Sequence, residues 1–196
     1  MKQDHRTRRT APTVAQLEQE LFHEKYRLRY RSVLRSTVYA LVIVAAVSVL
    51  VATLLLPVLE IYGTSMTPTL NENDIVVSVK GGDIQQGDII AFYYNNRILI
   101  KRVIAVGGQT VNIDADGNVL VDGVLLDEPY LTEKSAGQSD LTYPYTVEPE
   151  TYFVMGDHRE TSVDSRNSLI GCIEQSEIVG HIIWTVWPLS HFGRVN

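Results

Sequence analysis

Between Arg35 and Glu60 the chain carries 24 consecutive residues, Ser36 to Leu59, without a charge. As a helix rising about 1.5 Å per residue, such a run reaches roughly 36 Å, more than the ~30 Å of a bilayer's hydrocarbon core. Hydrocarbon offers a backbone no hydrogen-bond partners, so a single spanning segment of this kind has to be helical. A cleaved export leader is the competing reading. It fits poorly, because the basic stretch before the run is long and the run exceeds an h-region of about 7–15 residues. One retained transmembrane helix over residues 37–59 is therefore expected, with Pro57 helping to end it.

The flanks give this helix a direction. Residues 1–36 hold nine Lys/Arg against four Asp/Glu, a net of +5, whereas the remainder holds eight against 19, a net of −11. Lys25, Arg27, Arg29, Arg31 and Arg35 crowd the near side, and no further Lys or Arg follows until Lys80. By the positive-inside rule the N-terminus is cytoplasmic and the acidic body lies outside. An acidic body also argues against nucleic acid as its partner. Residues 1–12 are polar and expected to be disordered. From Thr13, a candidate N-cap, to Ser36 helix formers dominate. Leu17, Leu21 and Leu28 fall at helical spacing there, but Glu24, Arg31 and Arg35 interrupt any extended seam. A helix leading into the membrane is the simpler reading, and a partner-binding helix is the alternative. Three segments result: a cytoplasmic basic segment (1–36), a transmembrane helix (37–59) and an extracytoplasmic domain (60–196).

The body reads as β-structure. Apolar, β-branched runs at 74–79, 88–94, 97–106, 110–114, 118–123, 151–156 and 177–187 are separated by turn signals such as Gly81-Gly82, Asn95-Asn96 and Gly107-Gly108. Short strands at this spacing predict antiparallel sheets rather than a doubly wound fold. Residues 132–149 are rich in Ser, Gly and Pro and are expected to form a long loop. The single cysteine, Cys172, excludes an intrachain disulfide and, within the apolar run LIGCI, is expected to be a buried small residue.

Three stretches carry chemistry. The first is YGTSMTPTL (62–70), where Pro68 restricts the backbone beside Ser65. Taken alone it reads as an ordinary turn, with a positioned hydroxyl as the alternative. The second is Lys101, inside the apolar run RILIKRVIAV. Period-2 alternation puts Leu99 and Val103 on its face, with Ile98, Ile100 and Ile104 beside Arg102 on the other. Burial there disfavours the ammonium form, and a neutral amine can take a proton from a serine hydroxyl. A lysine whose head snorkels to water is the alternative. The third is GDHRETSVDSR (156–166), dense in polar groups after an apolar strand. Asp164 and Arg166 there suit an ion pair that shapes the loop, and Ser162 suits a hydrogen bond to the lysine amine. Asp157, His158 and Glu160 lack the His-Glu-x-x-His or paired-Cys spacing of a metal site, so no metal is expected.

Taken together, SMTPTL (65–70), GDII (87–90), KRVIAVGG (101–108) and GDHRETSVDSR resemble the type I signal peptidases, membrane-bound Ser/Lys proteases, in their single-span Gram-positive form. The resemblance runs from about residue 60 to the C-terminus, and VLVDGVLLDEPYL (119–131) resembles the family's β-hairpin region. It implies a mainly β fold: an antiparallel catalytic domain with a β-hairpin insertion, tethered by one N-terminal helix. It further implies Ser65 as nucleophile and Lys101 as general base, with Ser162 orienting the lysine. Asp164 and Arg166, together with Asp157 and Arg159, would support the active-site loop. Met66, Leu70 and Ile100 would line pockets for small substrate side chains. The implied substrates are secretory preproteins with small residues at −1 and −3, cleaved beside membrane lipid without a cofactor.

Two positions depart from the family pattern. Gly63 stands where some relatives have a serine that helps hold the oxyanion, and His158 stands where asparagine is usual. The first leaves the backbone N–H of Ser65 as an oxyanion donor. The second is expected to do structural work. Three rivals fit the residues less well. A catalytically silent tethered domain has no use for Ser65, Lys101 and Ser162 together. A self-cleaving repressor has no use for a membrane helix. A His-dependent hydrolase lacks its Gly-x-Ser-x-Gly elbow here. Trp184, Trp187 and Phe192 suit the membrane interface, with core packing as the alternative for Trp184.

Overall fold

Helix formers running directly into the apolar segment produce one uninterrupted helix, α1 (Val14–Leu55, 42 residues), in a computed structural model that describes residues 14–195. The expectations for residues 1–12 and for Thr13 fall outside the described residues. The side chains described along α1 are exposed to its end, and the helix is long and apolar enough to cross a membrane. Proline disfavours the α conformation at the residue before it. Helix α1 accordingly stops at Leu55, two residues ahead of Pro57, and the last residues of the charge-free run enter a strand. Residues up to Val51 and residues from Ala52 onward form two separate units.

The second unit is built of β1 (Val58–Glu60), β2 (Ile75–Val79), β3 (Ile89–Tyr94), β4 (Arg97–Val106), β5 (Thr110–Ile113), β6 (Val119–Val121), β7 (Val124–Leu125), β8 (Tyr145–Thr146), β9 (Thr151–Met155), β10 (Ile173–Glu174), β11 (Ile178–Trp187) and β12 (Gly193–Arg194). All pairings are antiparallel. The larger sheet has the order β1-β2-β11-β3-β4-β9-β10, with β12 on β11, and the smaller has the order β7-β6-β5-β8. Each of the seven runs expected to be strands is one. β7 pairs with β6 inside the hairpin region expected at 119–131; the strands not foreseen, β1, β8, β10 and β12, have two or three residues each, too few for a period-2 pattern to register. The segment expected to be a long loop is one except where Tyr145–Thr146 pairs with β5.

Alternation along β3 divides the core. Ile89 and Ala91 pack with Met66, Leu70 and Val76 on one face, while Ile90 and Phe92 pack with Val103 and Val154 on the other. A third cluster, with Ile104, Val111 and Phe153, joins residues of both sheets. Cys172 is half-buried rather than fully enclosed, and its Sγ donates to the Tyr145 hydroxyl at 3.6 Å. Trp184 is 40% exposed and packs against Phe192 at a ring separation of 5.4 Å, so it lies on the surface rather than in the core.

Strand β4 does most to position the site. Residues 97–102 pair with β3, but pairing with β9 begins only at Arg102. The other edge of Arg97–Lys101 thus has no strand partner among the described residues. Phe153 is fully buried at the junction of the sheets. Phe153→Ala should cost about 3–5 kcal/mol, read as a lowered denaturant midpoint for the full chain in detergent.

Candidate active site

The loop from Ile61 to Asp74 is closed at its neck by Ile61 N–H donating to Asp74 O (2.8 Å) and Asn73 N–H to Ile61 O (2.9 Å). Within it Thr67 donates twice to Thr64 O, from its backbone N–H at 3.1 Å and from its hydroxyl at 2.8 Å. Gly63 has φ +84°, with no atom near the place a Cβ would occupy. Glycine is favoured there by backbone conformation rather than by space. The Ser65 carbonyl accepts from His158 N–H at 3.0 Å. The turn and the polar loop after β9 are therefore joined through main-chain atoms.

Lys101 Nζ stands 2.6 Å from Ser65 Oγ, and the lysine is only 4% exposed. Burial pulls its pKa down from 10.5 to about 8. Asp164 and Asp157 oppose that shift and Arg166 reinforces it, but desolvation is the largest influence. The shift corresponds to about 3 kcal/mol of lost preference for the ammonium form, and it raises the neutral fraction at pH 7 about 300-fold. A largely desolvated amine beside a hydroxyl is an arrangement that can take up the hydroxyl proton.

The acids near this lysine are committed to arginines. Asp157 receives Arg102 in a fork, Nε to Oδ1 at 2.9 Å and Nη2 to Oδ2 at 2.8 Å, and also accepts from the Thr69 hydroxyl. Asp164 receives Arg166 likewise, Nε to Oδ1 at 2.8 Å and Nη2 to Oδ2 at 2.9 Å, and accepts Gly156 N–H at 2.9 Å. Arg159 donates from Nε to Gly156 O at 3.0 Å within its own loop, but its acid partner is Glu128, which sequence reasoning did not single out. Tyr130 was missed too; its ring lies 3.9 Å beneath the Arg102 guanidinium. Both belong to the stretch DEPYL, already noticed for its resemblance. Nothing in its local pattern reveals a partner 31 residues away in the chain.

Ser162 is buried, and its hydroxyl has no hydrogen-bond partner among the described residues. It lies close to the Ser65 backbone, since a Cβ placed on Gly156 would collide with both Ser162 Oγ and Ser65 O. The His158 ring exchanges a hydrogen bond with the Thr161 hydroxyl at 2.9 Å, while the His158 carbonyl accepts Ser162 N–H at 3.1 Å. No group of side chains suited to a metal occurs among the described residues.

Two cavities meet at Ser65 and Lys101. One, of about 620 Å³, has an apolar wall that includes Leu59, Ile61, Met66, Ile98 and Ile100. Leu70 does not line it; fully buried, it packs behind Met66 in the core. The second, of about 630 Å³, is bounded by Arg97 and Leu99 of β4 and by Thr161, Val163 and Ile170.

With this geometry in view, residues 34–187 match the family described as "Signal peptidase, peptidase S26". The chain is 31% identical over 184 residues to signal peptidase I of Bacillus amyloliquefaciens, covering 88% of this chain and 98% of that protein. It is 36% identical over 175 residues to signal peptidase I P of Bacillus subtilis subsp. natto, covering 83% and 94% respectively. A solved signal peptidase I from Enterococcus faecalis is 32% identical, covering 51% of this chain and 97% of that one, with a TM-score of 0.44.

The buried Arg102–Asp157 pair makes a prediction of its own. Asp157→Ala removes the forked carboxylate from a 2%-exposed guanidinium and should cost about 3–5 kcal/mol. Arg102→Met combined with Asp157→Leu should recover most of that loss in chemical denaturation.

Proposed function

The chain belongs to the signal peptidase family, peptidase S26, whose activity is removal of signal peptides by a serine protease, and from that premise we propose that Ser65 and Lys101 are its catalytic dyad. The observation that carries this reading is the 2.6 Å approach of a buried, pKa-lowered amine to the serine hydroxyl.

In the proposed cycle Ser65 Oγ attacks the scissile carbonyl carbon while Lys101 Nζ accepts the hydroxyl proton. The tetrahedral oxyanion draws on the Ser65 backbone N–H, in keeping with a glycine at 63 that offers no side-chain donor. Lys101 then passes the proton to the departing amine of the mature protein, leaving an acyl-enzyme. Water, deprotonated by the same amine, attacks the ester and releases the signal peptide and Ser65. Ser162, whose buried hydroxyl makes no bond to the lysine in this structure, would orient the amine by turning that hydroxyl toward it. Arg102–Asp157, Arg159–Glu128 and Asp164–Arg166 hold the floor on which both groups rest.

The substrate chain lies as an extended strand along the unpaired edge of Arg97–Lys101, adding to the sheet. Its residues at −1 and −3 share one face of that strand and enter the cavity walled by Met66, Ile98 and Ile100. Small side chains suit a cavity in which the backbone must come within reach of Ser65. Five cations before the apolar run, with none after it until Lys80, support a cytoplasmic N-terminus and an extracytoplasmic catalytic domain. The exposed Trp184, Trp187 and Phe192 support contact between the domain and lipid.

Ser65→Ala and Lys101→Ala should each abolish cleavage, by the full chain in detergent, of a preprotein with alanines at −1 and −3. Full activity of Lys101→Ala would rule out the dyad. The neutral amine is the base, and it is depleted below its pKa. kcat/KM should therefore rise about tenfold per pH unit up to about 8 and level off above it.

A further inference from the structure

Arg97 lines both cavities that meet at the dyad, whereas Glu60 lines only the apolar one. Side chains along β4 alternate between them. Ile98 and Ile100 line only the apolar cavity, whereas Arg97, Leu99 and Lys101 also line the second. A strand added to this edge alternates in the same way. If its −1 and −3 side chains enter the apolar cavity, its −2 and −4 side chains point toward the second. The apolar cavity is bordered by all of residues 97–101, so the signal-peptide side of the substrate runs from Lys101 toward Arg97. Arg97 lies four residues from Lys101, about 13 Å along the strand, which puts its side chain within reach of −4.

The electrostatics of the domain make Arg97 unusual. Eight Lys and Arg follow residue 36, against 19 Asp and Glu. Arg102, Arg159 and Arg166 are in buried ion pairs, Lys134 bonds to Asn118, and Lys101 faces Ser65. Only Lys80, Arg97 and Arg194 lack a side-chain partner among the described residues, and of these only Arg97 lines a cavity at the dyad. No Asp or Glu lines the second cavity. The acid at the apolar cavity, Glu60, lines that cavity alone, where it accepts from the Tyr62 hydroxyl at 2.9 Å. An acidic side chain over the second cavity thus meets Arg97 and no lining carboxylate.

We propose that the second cavity is a specificity subsite for the residue at −4 of the signal peptide, where Arg97 reads an acidic side chain. The inference rests on the peptidase reading above and deepens it. A solvent-exposed carboxylate–guanidinium pair contributes roughly 0.2–1 kcal/mol, equivalent to about a 1.4- to 5-fold change in rate constant. Charge reversal at either partner changes the sign of the effect.

The test uses the full chain in detergent and preproteins with alanines at −1 and −3 that differ only in Glu, Gln or Lys at −4. The wild-type kcat/KM should fall in the order Glu, Gln, Lys, by about threefold per step, and the spread should narrow in 1 M salt. Arg97→Glu should invert the order, and Arg97→Lys should keep it. Each enzyme serves as its own reference, so a general loss of activity leaves the ratios readable. Cleavage with equal rates across the series, or an Arg97-dependent preference that appears only for charges on the mature side, overturns the subsite while leaving the peptidase reading intact. Cleavage of none of the substrates by the wild-type chain overturns both.

Discussion

A lysine amine that has lost most of its water, held 2.6 Å from a serine hydroxyl, is the constraint around which the domain is arranged. Desolvation alone is not selective, because a buried ammonium attracts any nearby carboxylate as a counter-ion, and such a pair would hold the proton on the lysine. Two carboxylates, Asp157 and Asp164, are close enough to act on Lys101 in that sense. Each instead receives a forked arginine. With their charge spent on guanidinium groups, burial prevails and the amine settles near pKa 8. The ion pairs around the site are thus less a source of net stability than a means of keeping two acids from pairing with the Lys101 amine.

Strand β4 carries that arrangement. Successive residues serve different ends: Lys101 faces the serine, Arg102 crosses to Asp157 and Tyr130, and Val103 and Ile104 enter separate core clusters. Its first half keeps one edge unpaired while its second half is locked to β9. The same strand therefore leaves one edge unpaired beside Ser65 and holds the Lys101 amine against a rigid sheet. Gly156, directly after β9, completes the floor because only a residue without a Cβ leaves room for Ser162 and the Ser65 carbonyl.

Much of this was legible before any coordinates. The long strands were readable because their apolar patterns extend over several periods, and β4 matched from Arg97 to Val106. Ser65, Lys101 and the polar loop were readable because each sits out of character with its surroundings: a hydroxyl beside a proline, a charge inside an apolar strand, a polar cluster after one. The partners of the arginines were not. Arg159 had an acid two residues away yet pairs with Glu128 in the loop after β7, and Arg102 found Asp157 across 55 residues. Leu70 likewise carries the right chemistry for a pocket but lies one layer behind it.

Sequence by itself determined the membrane-length helix, the antiparallel β character of the body, and the chemical types the site contains. These follow from local patterns of apolarity, charge and turn residues, which act over a few neighbours at a time. Tertiary structure alone decided that Lys101 is dry, which carboxylate each arginine neutralises, and that one strand edge borders two cavities, of which only the apolar one has a carboxylate in its wall. Those outcomes depend on distances between segments far apart in the chain. A side chain's solvation and its partner are properties of the packed sheet, and no local pattern encodes them.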